Sequence, residues 1–176
     1  VIVSSITFIS AINMLKNLSA SIYLADVDKN SGQITINTVK ECIKFNKIKK
    51  VKCIITTYLG GSISEVEEFY KLKKKLKCFL IEDACHALGT RYFVKKKKYF
   101  VGSCKHSDIS TFSLHPLKTI TAGEGGLVTT NSKEIYNKIL LLRSHGILRS
   151  NKHFKYNVIA QGYNYRLSDI NCALGI

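Results

Sequence analysis

No apolar run in the chain approaches the ~18 residues needed to span a bilayer, and no charged segment leads into an apolar stretch and a cleavage site. The sequence therefore shows neither a membrane span nor a secretory leader. The six cysteines (42, 53, 78, 85, 104 and 172) never form a C-x-x-C pair, and several lie in apolar runs such as CIIT and CFLI. There Cys behaves as a small buried hydrophobe, which predicts a reduced, cytoplasmic protein with no metal site rather than a disulfide scaffold. Proline occurs once, at 116, and there is no internal repeat or low-complexity linker. At 176 residues this reads as one domain, large enough to bury a real core. Acids are scarce: 12 against 27 basic residues, for a net charge of +15. Arginine is scarcer still, since 23 of those 27 are lysine, gathered in KIKKVK, KLKKKLK and KKKK. Such runs raise the possibility of nucleic-acid binding. Without a docking motif, and with the runs near helix ends or in a hairpin, a solvated lysine surface is the favoured reading. Its field could also steer an anionic substrate.

What is present is a regular alternation. VIVSS, SIYLADV, VKCIITT and CFLIED read as strands. Helical patterns lie between them, through Phe8, Ile12 and Leu15, over Ile36–Phe45, and from Ser62 to about Leu76. Ser62 with Glu65 three residues on predicts a capping box for the third helix. The order implies an α/β fold, a mostly parallel sheet flanked by helices on both faces. RYFVKKKKYFVG reads as a hairpin around a lysine turn, and DISTFSL and GGLVTT as further strands. Ser132 to His145 is an amphipathic helix with Ile135, Ile139 and Leu142 on one face. Residues 146 to 163 read as a long irregular loop or an inter-chain arm, and Ser168 as the start of a last helix. Because VIVSS is already strand and DINCALGI is a helix in progress, the chain is expected to be a piece of a longer protein, cut at both ends.

Polar clusters fall at strand ends: Glu82-Asp83 after CFLI, Ser113 to Lys118 after DISTF, and Gly162 to Arg166 before the last helix. Ligands of open α/β sheets sit at the carboxyl ends of strands, and glycines such as Gly123, Gly125 and Gly126 admit close backbone approach. A buried aspartate and a lysine there could be a structural ion pair. They could equally be the two ends of a site for pyridoxal phosphate (PLP). That cofactor needs a lysine to hold its aldehyde, a carboxylate to keep its ring nitrogen protonated, and hydroxyl or amide donors for its phosphate. A Cys85–His86 hydrolase is disfavoured, since adjacent side chains diverge on a helix and no orienting group accompanies them.

The segments ITFISAINM, IEDACHALGT, GSCKHSDISTFSLHPLKTITAGEGGLVTT, LRSHGI and GYNYRLSDINCALG, in that order, resemble the DegT/DnrJ/EryC1/StrS sugar aminotransferases, which are fold-type I PLP enzymes. Within that family SLHPLKTIT and RSHGIL look most like the altrosamine-type transaminases of the pseudaminic acid pathway. The resemblance spans nearly the whole chain and implies the three-layer PLP-binding large domain over residues 1–176. The family's Gly-Thr phosphate-binding turn and its C-terminal small domain would lie outside it. Carried over by motif, Lys118 would hold the cofactor and move protons, and Asp83 would pair with the ring nitrogen, with an N-cap as its plainer role. His86 would approach the ring hydroxyl and Ser113 would bind the phosphate. Phe8 would stack on the ring, or else be plain helix core. Asn164 would reach the phosphate of a neighbouring subunit, making the protein a homodimer. The implied reaction moves an amino group from an amino-acid donor, glutamate in the family, to the 4-keto carbon of a nucleotide-linked 4-keto-6-deoxy sugar derived from UDP-GlcNAc. Lys118, where some family members carry histidine and dehydrate instead, favours transamination. The strand end ITTYLGG departs from the family's V-H-L-Y-G-like pattern and has no histidine to make that contact.

Overall fold

The computed structural model describes residues 1–149 and 155–176. In chain order it comprises β1 (Ile2–Ser4), α1 (Ile9–Asn17), β2 (Tyr23–Ala25), α2 (Ile36–Phe45), β3 (Cys53–Thr57), α3 (Val66–Leu76) and β4 (Phe79–Asp83). Then follow β5 (Arg91–Val94), β6 (Lys97–Phe100), β7 (Ile109–Ser113), β8 (Gly126–Thr129), α4 (Lys133–Arg143), β9 (Ile147–Arg149), β10 (Tyr156–Val158) and α5 (Asp169–Leu174). The main sheet has the order β2-β1-β3-β4-β7-β8; all its pairings are parallel except β7 with β8. A mostly parallel sheet flanked by helices is the architecture that the alternation of patterns implies.

Register separates the two faces of this sheet. Ile2, Ile54 and Leu80 lie in one row, with Glu82 and Ser110 further along the same face. Onto that face α2 brings Val39 and Cys42, and α3 brings Phe69 and Leu72, forming one continuous core. Full burial of each such Leu or Phe side chain contributes roughly 1.5–3 kcal/mol. The β5–β6 hairpin continues the cover: Tyr92, Val94 and Val101 pack with Tyr58 and Phe112. Val3, Ile55, Ile81 and Ile109 form the matching row on the opposite face. That face carries Thr57, Asp83 and Ser113 at the carboxyl ends of three neighbouring strands.

Two local features differ from the sequence patterns. Ser62 and Glu65 do not form a capping box: α3 starts at Val66, and Glu65 stands before it in the left-handed region (φ 50°) with no side-chain cap. The Glu65 carboxylate turns instead to α2, where it accepts the Ile36 N–H at 2.7 Å. There it meets the positive end of that helix, which Thr35 and Thr38 also close with a reciprocal box. The second difference lies in residues 146–163. Instead of an irregular loop, Tyr156, Asn157 and Val158 pair antiparallel with Arg149, Leu148 and Ile147. Strands of three residues are too short for alternation to show. Residues 150–154, in the middle of that stretch, lie outside the described residues. In α4, Ile135 and Ile139 are half-buried and Leu142 is exposed, so the predicted apolar face is only partly covered.

Candidate active site

β3 and β4 run parallel in a register that sets Thr57 beside Asp83. β4 and β7 set Asp83 beside Thr111, so Ser113 stands two residues further along the same face. Beyond Ser113 the chain turns sharply. The Ser113 hydroxyl accepts the His115 N–H at 3.2 Å, His115 Nδ1 accepts the Leu117 N–H at 3.2 Å, and the Lys118 N–H closes onto the His115 carbonyl at 2.9 Å. Pro116 inside this turn has the fixed φ that such a bend uses. The result folds Lys118 back over the strand end, half-buried.

A cavity of about 540 Å³ opens at this edge, and Phe8, Asp83, His86, Ser113 and Lys118 all line it. Five of the six residues singled out in the sequence therefore meet in one place. Asn164 does not: it is exposed and sits in a backbone bridge to Ser144, away from the cavity. Phe8 is no core residue. It precedes α1 at the N-cap, 74% exposed, with its ring at the cavity wall.

Asp83 Oδ1 accepts the Cys85 N–H at 3.2 Å, the short-range turn contact of an aspartate just after a strand. The other oxygen has no protein partner among the described residues and is not sealed from solvent. Lys118 has no carboxylate within 4.0 Å among them. Asp83 and Lys118 therefore do not form the structural ion pair that was the competing reading.

Burial pushes the Cys85 thiol up to about 12, helped by the neighbouring Asp83 carboxylate, while Lys118 pulls the other way. A thiol so placed stays protonated at neutral pH, and the His86 ring is turned to the Gly60 N–H, which its Nδ1 accepts at 3.2 Å. The Cys–His hydrolase arrangement is absent. The turn that holds His86 depends on Gly61, at φ +77°, where a Cβ would lie 2.7 Å from the His86 carbonyl oxygen.

Thr7, Thr57 and Glu124 are among the lining residues that the sequence did not single out. Thr57, at the end of ITTYLGG, meets the Thr7 hydroxyl at 3.0 Å and ties the start of α1 to β3. Glu124, from the glycine cluster, sits 3.9 Å from His115 Nε2. Only register and the return of the chain through Gly123 and Gly125 bring these groups in, and none of the three has a short-range signal.

The donor set suits PLP. The volume is within the range of small-molecule sites, an unengaged carboxylate oxygen is available for a ring N–H, and the Ser113 hydroxyl can donate its proton to an anion.

The model of the DegT/DnrJ/EryC1/StrS aminotransferase family matches residues 1–176. The chain is 41% identical over 176 residues to a UDP-4-amino-4,6-dideoxy-N-acetyl-β-L-altrosamine transaminase of Campylobacter jejuni, covering all of this chain and 44% of that protein. It is 37% identical to a GDP-perosamine synthase of Escherichia coli O157:H7, covering 45% of it. Among solved structures, Helicobacter pylori PseC, an aminotransferase involved in the biosynthesis of pseudoaminic acid, superposes with a TM-score of 0.87 at 35% identity. That match covers 99% of this chain and 44% of PseC. The chain thus spans less than half the length of these relatives, and the family match runs over all of it: it belongs to the DegT/DnrJ/EryC1/StrS aminotransferase family.

Proposed function

We propose that the protein carrying this chain is a PLP-dependent aminotransferase. It would move an amino group from an amino acid, glutamate by family resemblance, to the 4-keto carbon of a UDP-linked 4-keto-6-deoxy sugar. The observation that carries this reading is the meeting of Asp83, Ser113 and Lys118 at one strand edge. The altrosamine transaminase at 41% identity supports the UDP sugar, and the GDP-perosamine synthase at 37% makes a GDP sugar the reading to test against it.

When bound, PLP supplies an electron sink for the carbon that loses its proton. The remaining work belongs to the chain. The free Asp83 oxygen would hold the ring N–H, keeping the sink charged. Ser113 would donate to a phosphate oxygen, and Phe8 would cover one ring face. Lys118 Nζ, once free, would take the proton from the donor's α-carbon and return one at the former carbonyl carbon. His86 accepts at Nδ1, so in the neutral ring its proton is on Nε2, a donor for the ring hydroxyl. Asn164, which does not line its own cavity, would complete the site of a second copy in a homodimer. A cytoplasmic location accords with the free cysteines and the sugar-nucleotide substrate.

The test is the visible spectrum of the full protein with PLP before and after borohydride, with Lys118→Ala alongside. The expected result is a band lost on reduction, with label on Lys118 and none in the variant. No band in the wild type would overturn the cofactor assignment. Mass spectrometry of products from UDP- and GDP-linked keto sugars then decides the nucleotide.

A further inference from the structure

The lysine runs KLKKKLK and KKKK, more than a dozen residues apart in sequence, meet in space. Lys71 and Lys74 on α3 face Lys95 and Lys97 on the β5–β6 hairpin across a cavity of about 470 Å³. This cavity lies on the sheet face covered by α3, opposite Asp83, and shares no lining residue with the candidate active site. Glu67 is the one acid in its wall and is already paired with Lys71 at 2.9 Å. Lys74, Lys95 and Lys97 have no acidic partner within 4.0 Å among the described residues. Three uncompensated cations around one concavity concentrate a positive field that a solvated flat surface would spread.

The floor is aromatic. Tyr99 lines the cavity, stacked on Tyr92 with ring centroids 5.6 Å apart, and Lys97 Nζ stands over its ring at 5.8 Å from the centroid. His106, 8% exposed, stands edge-on to Tyr99 at 4.9 Å and holds Tyr92 Oη through Nδ1 at 2.9 Å. Its Nε2 has no protein partner among the described residues, yet it is not sealed off, so it is reached from the cavity that His106 lines. Burial also lowers the His106 pKa, which keeps the ring neutral near pH 7.

The hairpin turn adds an independent observation. Lys95 and Lys96 both lie at positive φ, 49° and 64°. A two-residue turn of that kind favours Asn-Gly, and two lysines there strain the backbone. The sequence carries its charge at a position where folding alone would place other residues.

We propose that this cavity is a second binding site, for a phosphate-bearing anion with an aromatic ring, that is, a nucleoside diphosphate. The phosphates would meet Lys74, Lys95 and Lys97, and the base would stack on Tyr99 within reach of His106 Nε2. The volume of about 470 Å³ suits a ligand of that size.

The experiment is calorimetric titration of the full protein with ADP, with the His106 imidazole nitrogens followed by NMR. Saturable binding that moves the Nε2 signal is expected, weakened roughly tenfold or more in the double variant Lys74→Gln, Lys97→Gln. The variant Lys95→Asn, Lys96→Gly should bind ADP less tightly while melting no lower than wild type, which separates lost contact from lost folding. Absence of ADP binding would overturn the proposal, as would binding that leaves His106 unmoved or ignores both variants. Pyrophosphate moving Nε2 as strongly as ADP would remove the stacking role of Tyr99. Polyuridylate binding more tightly than ADP, and moving the same signal, would make the surface a nucleic-acid face instead.

Discussion

On the face covered by α2, α3 and the β5–β6 hairpin, the Glu82 carboxylate is 2% exposed and accepts hydroxyl protons from Tyr58, at 3.0 Å, and from Ser110. One residue along the same strand, on the opposite face, Asp83 has one oxygen on the Cys85 N–H and the other open to a cavity. The pleat alone separates these neighbours. Burial on the first face is tolerable only because both Glu82 oxygens are engaged, since an unpaired buried charge is costly. The Tyr58 hydroxyl, driven well above its usual range by burial and by Glu82, remains a donor at every physiological pH. On the second face, incomplete satisfaction leaves an Asp83 oxygen that, in the function proposed above, would hold a cationic ring. A carboxylate is structural where both its oxygens have internal partners, and open to a ligand where one does not.

The largest break of this comparison is on the open face. Asp83→Asn should lower kcat/KM for transamination by roughly 10²–10³-fold, because it removes the charge that holds the ring proton. Stability should change by less than about 1 kcal/mol, since the Cys85 N–H can still be accepted by the amide oxygen. Coupled activity assays and urea melts on one preparation check both halves. A variant that unfolds would place Asp83 with Glu82 among structural acids. Glu82→Ala should do the reverse. Tyr58 and Ser110 would lose their acceptor in a dry environment, and about 2–4 kcal/mol of stability should go with it. Glu82→Gln, which keeps an acceptor for Tyr58, should cost about 1 kcal/mol. Equal melting of the Ala and Gln variants would show that the two hydroxyls do not depend on Glu82.

The strand and helix order was legible because apolar runs bounded by turn residues repeat through most of the chain, and α2 begins and ends where its pattern does. The candidate site residues Asp83, Ser113 and Lys118, which line one cavity, stood out as strand-end chemistry sharpened by family resemblance. That they could converge at the carboxyl ends of the strands was expected; which of them stand side by side was not legible, because it rests on the register of β3, β4 and β7, which sequence spacing does not encode. Glu65 shows the same limit on a smaller scale. Its spacing from Ser62 mimics a capping box, and only the neighbouring helix, 29 residues back, reveals that the carboxylate is used elsewhere. Nor could the lysine runs be placed. Each looks like a solvated stretch alone, and the cavity exists only where α3 and the hairpin face each other.

The smallest effect expected is also a direct ruler of the open face. Cys85 lies between the two groups of opposite charge, and its thiol at about 12 leaves about one thiolate in ten thousand at pH 8. Iodoacetamide should therefore reach Cys85 far more slowly than the exposed Cys172, with a rate rising about tenfold per pH unit up to pH 10, since the folded pKa lies above that range. Burial is the main cause of the high value, so removing either neighbour moves it only modestly. Asp83→Asn deletes a charge that opposes the thiolate and should speed the reaction. Lys118→Ala deletes one that favours it and should slow it. Opposite signs in the two variants, read by peptide mass spectrometry without any cofactor, place both charges beside the same sulfur. Equal signs would mean that solvent access, and not the Asp83–Lys118 field, sets the reactivity, and the cavity would then be wider open than its lining residues indicate.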